Sequence, residues 1–179
     1  MNNAIYPVVF KDVIPSHVFV SLHDELLNEW TLANTSDSKY GDDSLSWGLR
    51  YKNDRIIMYQ AASIVKLKCQ KIIREHIRLC KIHVNGQTFG QKGGFHTDFD
   101  DPWFWTFVLF TSPEWNTQWS GEFVCQDPSG EYHYVPYIPN NGVLIPSNWP
   151  HYGCSPNAFT DKLRTSVAFS YIHESKLPS

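Results

Sequence analysis

The sequence predicts an α+β protein in which helices come first and a β-rich half follows. Before residue 80, apolar residues recur every three to four positions, as in amphipathic helices. After residue 80, short runs of β-branched and aromatic residues alternate with turns rich in Gly and Pro, which is typical of a sandwich or barrel. The 179 residues, 42% of them hydrophobic, suffice for one domain with its own core.

Charge and cysteine content narrow the function classes. The net charge of −3 gives no overall basic field, so no nucleic acid partner is expected. The four cysteines contain no C-x-x-C pair and are expected to be reduced thiols. No signal-peptide pattern and no apolar run near ~20 residues is present, so we expect a cytoplasmic protein without membrane contact. A local basic cluster is interpreted as a solvated helix face: Lys66, Lys68, Lys71, Arg74 and Arg78.

The first predicted elements are a short strand over residues 6–10 and a helix over residues 16–30. The helix is predicted from apolar residues at helical spacing, namely Phe19, Leu22, Leu26 and Trp30. This segment contains His23-Asp24-Glu25, a histidine–x–acid pattern that could be taken for a metal motif. On a helix, residues two apart point away from each other, so His23 and Glu25 are interpreted as polar-face residues.

A polar loop is predicted over residues 34–44 and a strand over residues 45–51. A long helix is then predicted from a cap at Asn53-Asp54 to about residue 78. Its predicted buried face consists of Ile57, Ala61, Ile64, Leu67, Ile72 and Ile73.

Six strands are predicted in the second half, at residues 81–85, 103–110, 121–126, 131–137, 142–146 and 164–172. No internal repeat and no long linker divides the chain. Helical support over residues 1–79 and a β core over about residues 80–172 are therefore expected to form one domain, 1–179.

The segment Gly93-Gly94-Phe95-His96-Thr97-Asp98 lies in the β half, just before the predicted strand 103–110. In extended backbone, residues two apart face the same side, so His96 and Asp98 can aim an imidazole and a carboxylate at one point. The two glycines are expected to supply backbone freedom upstream. The same spacing favours Asp98 over Asp100 and Asp101, which are interpreted as residues of the cavity rim.

His151 is the best distant candidate for a further metal ligand, because an apolar strand delivers it between Pro146 and Pro150. Two histidines and one carboxylate with open positions form the facial triad of non-haem Fe(II) oxygenases. A zinc hydrolase would accept the same three ligands, so the triad alone does not choose the chemistry.

Arg164 opens the last predicted strand, and Ser166 follows on the same strand face. The guanidinium offers a rigid fork for a carboxylate, and the hydroxyl can add a hydrogen-bond donor. This pair near an iron triad is what a bidentate keto acid needs at its far carboxylate.

His96-x-Asp98, His151 and Arg164-x-Ser166, in this order in a β-rich half, resemble the Fe(II)/2-oxoglutarate-dependent oxygenase superfamily. The chain is most similar to the prolyl-4-hydroxylase-like branch, including small bacterial and phage-encoded members. Supporting segments are VNGQTFGQKGGFHTD and FTSPEWNTQWSGEFVC. The resemblance covers roughly residues 80–172.

The resemblance implies a double-stranded β-helix (jelly-roll) core in the C-terminal half with supporting N-terminal helices. It implies that His96, Asp98 and His151 bind Fe(II), and that Arg164, helped by Ser166, holds the C5 carboxylate of 2-oxoglutarate. O2 is the other cosubstrate, and ascorbate is a candidate reductant. The implied enzyme is a dioxygenase that converts 2-oxoglutarate to succinate and CO2 while it hydroxylates a C–H bond. A peptidyl proline is the first candidate substrate; other protein or small-molecule substrates stay open.

One family feature has no match. Related prolyl hydroxylases carry a 2-oxoglutarate-binding Tyr on the strand after H-x-D, where this chain has Phe110 or Leu109. Gln87 and Thr88 are candidates for that contact by position. His83 lies in a strand pattern without a partner two residues away and is interpreted as structural, as is His133.

Two other function classes stay open. A cupin-like metal-dependent isomerase or hydrolase on the same barrel would need no Arg164-x-Ser166 pair. A catalytically silent binding module would keep the barrel, although such proteins usually lose a metal ligand. An aromatic cluster is expected to form core or cavity wall, with substrate contact as the alternative: Trp103, Phe104, Trp105, Trp115 and Trp119.

Overall fold

The computed structural model describes residues 6–27, 30–33, 46–49, 55–91 and 93–177. Its elements, in chain order, are β1 (Val8–Phe10), α1 (Ser16–Glu25), β2 (Trp30–Ala33), β3 (Ser46–Leu49), α2 (Ile56–Ile73), β4 (Ile77–Gln87), β5 (Phe104–Phe110), β6 (Phe123–Gln126), β7 (Tyr132–Val135), β8 (Gly142–Pro146), β9 (His151–Gly153) and β10 (Arg164–His173). Short 3-10 helices occupy Thr117–Trp119 and Glu174–Lys176.

Two antiparallel sheets form the body of the protein. The larger has seven described strands in the order β1-β8-β5-β10-β4-β3-β2, and the smaller has three in the order β7-β6-β9. Every described strand pair is antiparallel. The prediction of a sheet-rich α+β protein is confirmed.

Strand β10 lies in the middle of the larger sheet and separates two hydrophobic clusters. Side chains of a strand alternate between the two faces of a sheet. Val167, Phe169 and Tyr171 join the cluster that includes α1 and α2, and the Tyr171 hydroxyl donates to the Ala62 carbonyl of α2 at 2.7 Å. Ala168 joins the second cluster, which contains residues of both sheets. The opposite faces of β10 therefore serve the helical layer and the space between the sheets.

Both helices are shorter than predicted. Helix α1 ends at Glu25, and Trp30, predicted as its last apolar residue, begins β2; its indole N–H donates to the Leu26 carbonyl at 2.7 Å. Helix α2 ends at Ile73 because Arg74 adopts a left-handed conformation with φ of 60°. Arg78, predicted as the helix end, lies in β4, where long-range pairing with β10 outweighs local helix propensity.

The buried face of α2 also differs from the prediction. Leu67 is 64% exposed, while Met58, Ala62, Val65 and Cys69 are buried. Many small or aliphatic residues in α2 make several helical faces look apolar, so the sequence pattern did not select one register. The predicted cap Asn53-Asp54 and the predicted loop 34–44 lie outside the described residues.

The six predicted strands of the second half correspond to β4, β5, β6, β7, β8 and β10. The short strand β9 was missed because its three residues stand close to Pro150 and Pro156 and show no alternation. The first part of the chain supplies strands β1, β2 and β3 to the larger sheet as well as the helices. None of the described helices is long and apolar enough to cross a membrane.

Candidate functional site

Three predicted ligands converge at one end of the space between the sheets. Asp98 Oδ1 lies 3.9 Å from His96 Nε2, and Asp98 Oδ2 lies 3.7 Å from His151 Nε2. One ligand atom from each side chain falls within 4.8 Å of the others. Ligand atoms around a single transition-metal ion, each about 2.0–2.2 Å from it, lie roughly 3 Å apart, so this group needs only a small contraction to hold a metal.

The backbone brings the two histidines together. His96 N–H donates to the His151 carbonyl at 3.1 Å, and His151 N–H donates to the His96 carbonyl at 2.9 Å. The Nδ1 of His96 donates to the Gly94 carbonyl at 2.9 Å, and the Nδ1 of His151 donates to the Trp149 carbonyl at 2.8 Å. Because Nδ1 carries the proton in both rings, both Nε2 lone pairs are free to coordinate a metal.

Asp98 is held by β5 and the residue after β8. The Thr106 hydroxyl donates to Asp98 Oδ2 at 2.6 Å and lies 2.8 Å from the Ser147 hydroxyl. The backbone N–H of Asp98 donates to the Ser147 carbonyl at 3.1 Å. Burial acts to raise the pKa of Asp98, but the electrostatic interaction with the nearby His151 ring and the Thr106 hydrogen bond outweigh it, and the pKa lies below its ordinary value. Asp98 is therefore held as a carboxylate.

His151 is held as a neutral imidazole, the protonation state that complements the Asp98 carboxylate. It is 4% exposed, and burial lowers its pKa below the ordinary histidine value, although the charge of Asp98 opposes this. A neutral imidazole and an ionised carboxylate are the forms that bind a metal ion. The donor set thus fits Fe(II) in both its atoms and its protonation states.

Arg164 lies at the other end of the same cavity and is 2% exposed. Its Nε donates to the Gly121 carbonyl at 2.7 Å, and its Nη1 donates to Gln87 Oε1 at 3.2 Å. The Tyr137 ring lies under the guanidinium, 4.9 Å from Cζ. Its remaining nitrogen, Nη2, is buried and makes no hydrogen bond within the described part of the chain.

This guanidinium has no carboxylate partner among the described residues. Burial lowers the pKa of Arg164, yet an arginine in a protein stays charged. A buried cation with an unsatisfied N–H is costly unless an anion completes it. The arrangement therefore suits an anionic ligand such as a carboxylate.

The absence of a side chain at Gly153 leaves room for the Arg164 guanidinium. A Cβ there would lie 2.9 Å from Arg164 Nη1 and 3.0 Å from Gln87 Oε1. Gly93 packs in the same way, since a Cβ would lie 3.0 Å from the Gly153 carbonyl oxygen and 3.2 Å from Gln87 Nε2. Gly93 does not have a positive φ, so close approach, not the backbone freedom predicted for Gly93-Gly94, explains it.

One cavity of about 180 Å³ joins these groups. All five predicted site residues line it: His96, Asp98, His151, Arg164 and Ser166. A small diacid that coordinates a metal at one end can thus present its other carboxylate to Arg164. Asp100 and Asp101 are exposed and do not line the cavity.

Several residues that line the cavity, or that contact the side chains lining it, were not predicted from the sequence. Thr106 was read only as part of a strand, and Tyr137 only as a strand end. Gln87 was a candidate by position and does contact Arg164, whereas Thr88 does not line the cavity. His83, interpreted as structural, lines the cavity.

The sequence of β4 does contain a signal for the residues of this strand that line the cavity. Strand β4 reads Lys81-Ile-His83-Val-Asn85-Gly-Gln87, with a polar side chain at every second position. Such alternation places the four polar side chains on one face of the sheet, which here is the cavity wall.

None of the five residues of the predicted aromatic cluster lines the cavity. Trp105 packs against the helical core cluster, and Trp115 packs against the cluster between the sheets. Trp103 is 43% exposed and lies under the Lys176 ammonium, 4.1 Å from its ring centre. Packing against the core is therefore confirmed for Trp105 and Trp115, whereas Trp103 lies at the surface and none of the five forms the cavity wall.

Comparison with known proteins supports the fold. No family model and no curated protein matches the sequence. Among solved structures, a Pseudomonas putida prolyl-4-hydroxylase superposes with a TM-score of 0.69 at 15% identity, covering 93% of this chain and 92% of that chain. A 2OG-Fe(II) oxygenase family oxidoreductase from Burkholderia pseudomallei gives 0.70 at 13% identity, covering 92% and 84%. A Trichoplax adhaerens prolyl hydroxylase gives 0.68 at 14% identity, covering 94% and 84%.

These proteins align over nearly the whole chain at low sequence identity, so the likeness lies in the three-dimensional structure. It extends well beyond the roughly 80–172 segment in which the sequence motifs lie. The chain therefore has the fold of the 2-oxoglutarate- and Fe(II)-dependent oxygenases, as the resemblance in its sequence implied.

Proposed function

We propose that the protein is an Fe(II)- and 2-oxoglutarate-dependent dioxygenase that hydroxylates a C–H bond. One observation carries this proposal: the buried Arg164, with an unsatisfied Nη2, opens into the same cavity as the His96, Asp98 and His151 triad. A metal-dependent isomerase or hydrolase on the same barrel has no need for this second, carboxylate-binding end.

We infer that the whole chain, 1–179, is one oxygenase domain with a double-stranded β-helix core over about residues 80–172. The facing of β5, β8 and β10 against β6, β7 and β9 supports this assignment, because residues of both groups share one hydrophobic cluster. The N-terminal helices cover the outer face of the larger sheet and complete the domain.

Within this proposal, His96 Nε2, a carboxylate oxygen of Asp98 and His151 Nε2 hold the metal. Bound iron and 2-oxoglutarate supply the oxidising chemistry, in which O2 is consumed and succinate and CO2 are released. The chain's own contribution is to orient the imidazoles through the Gly94 and Trp149 carbonyls. Three protein ligands leave coordination positions open for the cosubstrates.

Arg164 is proposed to bind the C5 carboxylate of 2-oxoglutarate through Nη2, with Ser166 as a second donor. Nε and Nη1 are already used by Gly121 and Gln87, so the guanidinium cannot rotate freely and Nη2 has a fixed direction. A preorganised donor of this kind binds an anion without the cost of ordering a long side chain. Ser166 is 3% exposed and lies two residues from Arg164 on the same face of β10.

The class of the primary substrate is less narrowly defined than the identity of the cosubstrate. A peptidyl proline is a candidate because prolyl hydroxylases share the fold, one of them bound to a hypoxia inducible factor peptide. Small molecules are candidates as well, since HygX from Streptomyces hygroscopicus also shares the fold and binds nickel, 2-oxoglutarate and hygromycin B. Ascorbate remains a candidate reductant.

Succinate release from 2-oxoglutarate with Fe(II) tests the proposal, together with direct binding of 2-oxoglutarate to the Zn(II)-loaded protein. His96→Ala should weaken metal binding, whereas Arg164→Ala should weaken 2-oxoglutarate binding by about 100-fold and leave metal binding in place. Arg78→Ala, an exposed arginine on β4, is the matched control. Wild-type protein that does not bind 2-oxoglutarate would contradict the proposal, and metal loss on substitution of Arg164 would contradict the assignment of roles.

A further inference from the structure

Strand β4 forms a polar wall of the cavity, and the proposed cosubstrate contacts only part of this wall. Its cavity-facing residues are Lys81, His83, Asn85 and Gln87. Gln87 pairs across the sheet with Arg164, at the carboxylate-binding end. Lys81 lies six residues away, and six residues of extended strand span about 20 Å. 2-Oxoglutarate is a five-carbon acid and spans only part of the distance between the Arg164 and Lys81 backbones.

Lys81 lies instead at the level of the metal ligands. In the sheet, Lys81 is opposite Ser170 of β10, and Ser170 is opposite Thr106 of β5. Thr106 is the residue whose hydroxyl donates to Asp98. Neighbouring strands are about 4.8 Å apart, so the backbone of Lys81 is about 10 Å from that of Thr106. The long side chain of Lys81 can cover much of this distance.

Lys81 has no carboxylate of its own within the described part of the chain. It is exposed at the cavity edge, and no salt bridge to it is found among the described residues. Its side chain nevertheless belongs to the cavity wall, on the same face of β4 as His83 and Asn85. Lys81 is therefore an unpaired cation that faces the reaction site.

Charge balance indicates what this cation is for. A divalent metal ion and Arg164 bring three positive charges to the cavity. The Asp98 carboxylate and the two carboxylates of 2-oxoglutarate bring three negative charges, and His96 and His151 bind a metal as neutral rings. These charges cancel, which leaves the positive charge of Lys81 uncompensated on the metal side of the cavity. Interactions in such a cleft are stronger than those on open surface.

We propose that Lys81 binds a carboxylate of the primary substrate, so that the oxidised molecule is an acid. This inference rests on the proposed function and deepens it, because it names the substrate class of the same site. Arg164 selects the carboxylate of the cosubstrate at the enclosed end, and Lys81 selects that of the substrate at the open end. A Lys ammonium is a point charge on a flexible stem, which suits substrates that differ in shape around one acidic group.

The test is binding to protein loaded with Zn(II) and 2-oxoglutarate, which gives no turnover. The probes are matched pairs of acid and amide: a panel of N-acetyl amino acids with their primary amides, and N-acetyl-aspartyl-prolinamide with its asparaginyl counterpart. The first arm places the carboxylate on the reacting residue, and the second places it on a neighbouring residue of a peptide. Ligand-observed NMR reports binding of each probe without any need for product.

We expect binding from acids of at least one arm, with the amides about tenfold weaker. Lys81→Met should remove this preference by weakening the acids about tenfold, and Lys81→Arg should keep it. Lys71→Met, a lysine on α2 away from the cavity, should behave as wild type. Binding of 2-oxoglutarate should stay unchanged in all three variants.

The results that would contradict the role of Lys81 differ from the result that would contradict the proposed function. Equal binding of acids and amides, binding of amides alone, or no carboxylate-dependent binding in either arm would overturn the role of Lys81. Equal affinity of the acids for the Lys81→Met variant and for the wild-type protein would overturn it as well. Failure of wild-type protein to bind 2-oxoglutarate at all would instead overturn the proposed function, and this is measured separately in the same samples.

Discussion

Gln87 and Arg164 face each other across β4 and β10, with Gln87 Oε1 accepting a hydrogen bond from Arg164 Nη1 at 3.2 Å. The amide nitrogen of the same glutamine donates to the Gly153 carbonyl at 2.9 Å. Gln87 therefore fixes the guanidinium without neutralising it. An acid at this position would form an ion pair and satisfy Arg164 from within the chain, whereas the neutral amide leaves the positive charge available for a ligand.

Gln87→Glu is predicted to weaken 2-oxoglutarate binding by tenfold or more. The new carboxylate would pair with Arg164, and its charge would repel the incoming carboxylate. Gln87→Met removes the hydrogen bonds without adding charge, so its effect should be smaller. Titration calorimetry with the Zn(II)-loaded protein measures both. Wild-type affinity in Gln87→Glu would show that Arg164 is not the anion-binding residue.

Thr106→Val is predicted to weaken metal binding by about 10- to 100-fold, in the range found for groups that orient metal ligands. The substitution keeps the shape of the side chain and removes the 2.6 Å hydrogen bond to Asp98 Oδ2. Thr106→Ser keeps the hydroxyl and serves as the control. Competition with a coloured chelator gives the affinities. Equal metal affinity in Thr106→Val and Thr106→Ser would mean that the hydroxyl does not position Asp98.

The two halves of the site were predictable to different degrees. His96 and Asp98 could be selected by their spacing, because residues two apart share a face where the chain is extended, although in the structure neither belongs to a strand and His96 is placed by its pairing with His151. Arg164 follows from its place at the start of a strong strand pattern. The three proposed metal ligands and Arg164 lie around one cavity.

The contacts that complete the site depend on partners far apart in the chain, which strand periodicity does not report. Tyr137 lies under Arg164 only because the chain after β7 returns toward the start of β10. The end of α2 illustrates the same limit, since the residues after Arg74 look helical alone and become strand through ten pairings with β10. The β4 alternation was readable, but only the fold shows that its polar face lines a cavity and not solvent.

His83 is predicted to make the metal-free protein less stable as the pH falls. Burial and the charge of Lys81 lower the pKa of His83 in the folded protein, although Asp98 opposes this. Below about pH 6.5 the unfolded chain takes up a proton at His83 that the folded protein does not, so stability is lost until the lower folded pKa is passed. His83→Gln should reduce this loss, and His17→Gln, on the exposed side of α1, should not. Urea unfolding from pH 5 to pH 8 measures the slopes, and identical slopes for wild type and His83→Gln would contradict the assignment.

His173 is predicted to stabilise the fold, because two hydrogen bonds connect it at the end of β10 to Trp105 of β5 and to Glu75 before β4. Trp105 Nε1 donates to His173 Nε2 at 3.0 Å, which requires Nε2 to be unprotonated. Nδ1 therefore carries the proton and donates to Glu75 Oε2 at 2.6 Å. His173→Phe would leave the partly buried indole N–H without an acceptor, at a cost of about 1–3 kcal/mol in the free energy of unfolding.

Glu75→Gln is the matched control, because the amide oxygen can still accept from Nδ1 and the Glu75 side chain is 57% exposed. Its effect should stay within about 0.5 kcal/mol, as for most surface substitutions. Denaturant unfolding followed by tryptophan fluorescence compares the two variants, and 2-oxoglutarate binding should be the same in both because neither residue lines the cavity. Equal stability of His173→Phe and wild type would show that the indole N–H finds water instead, and that this pair of hydrogen bonds does not hold the strand end.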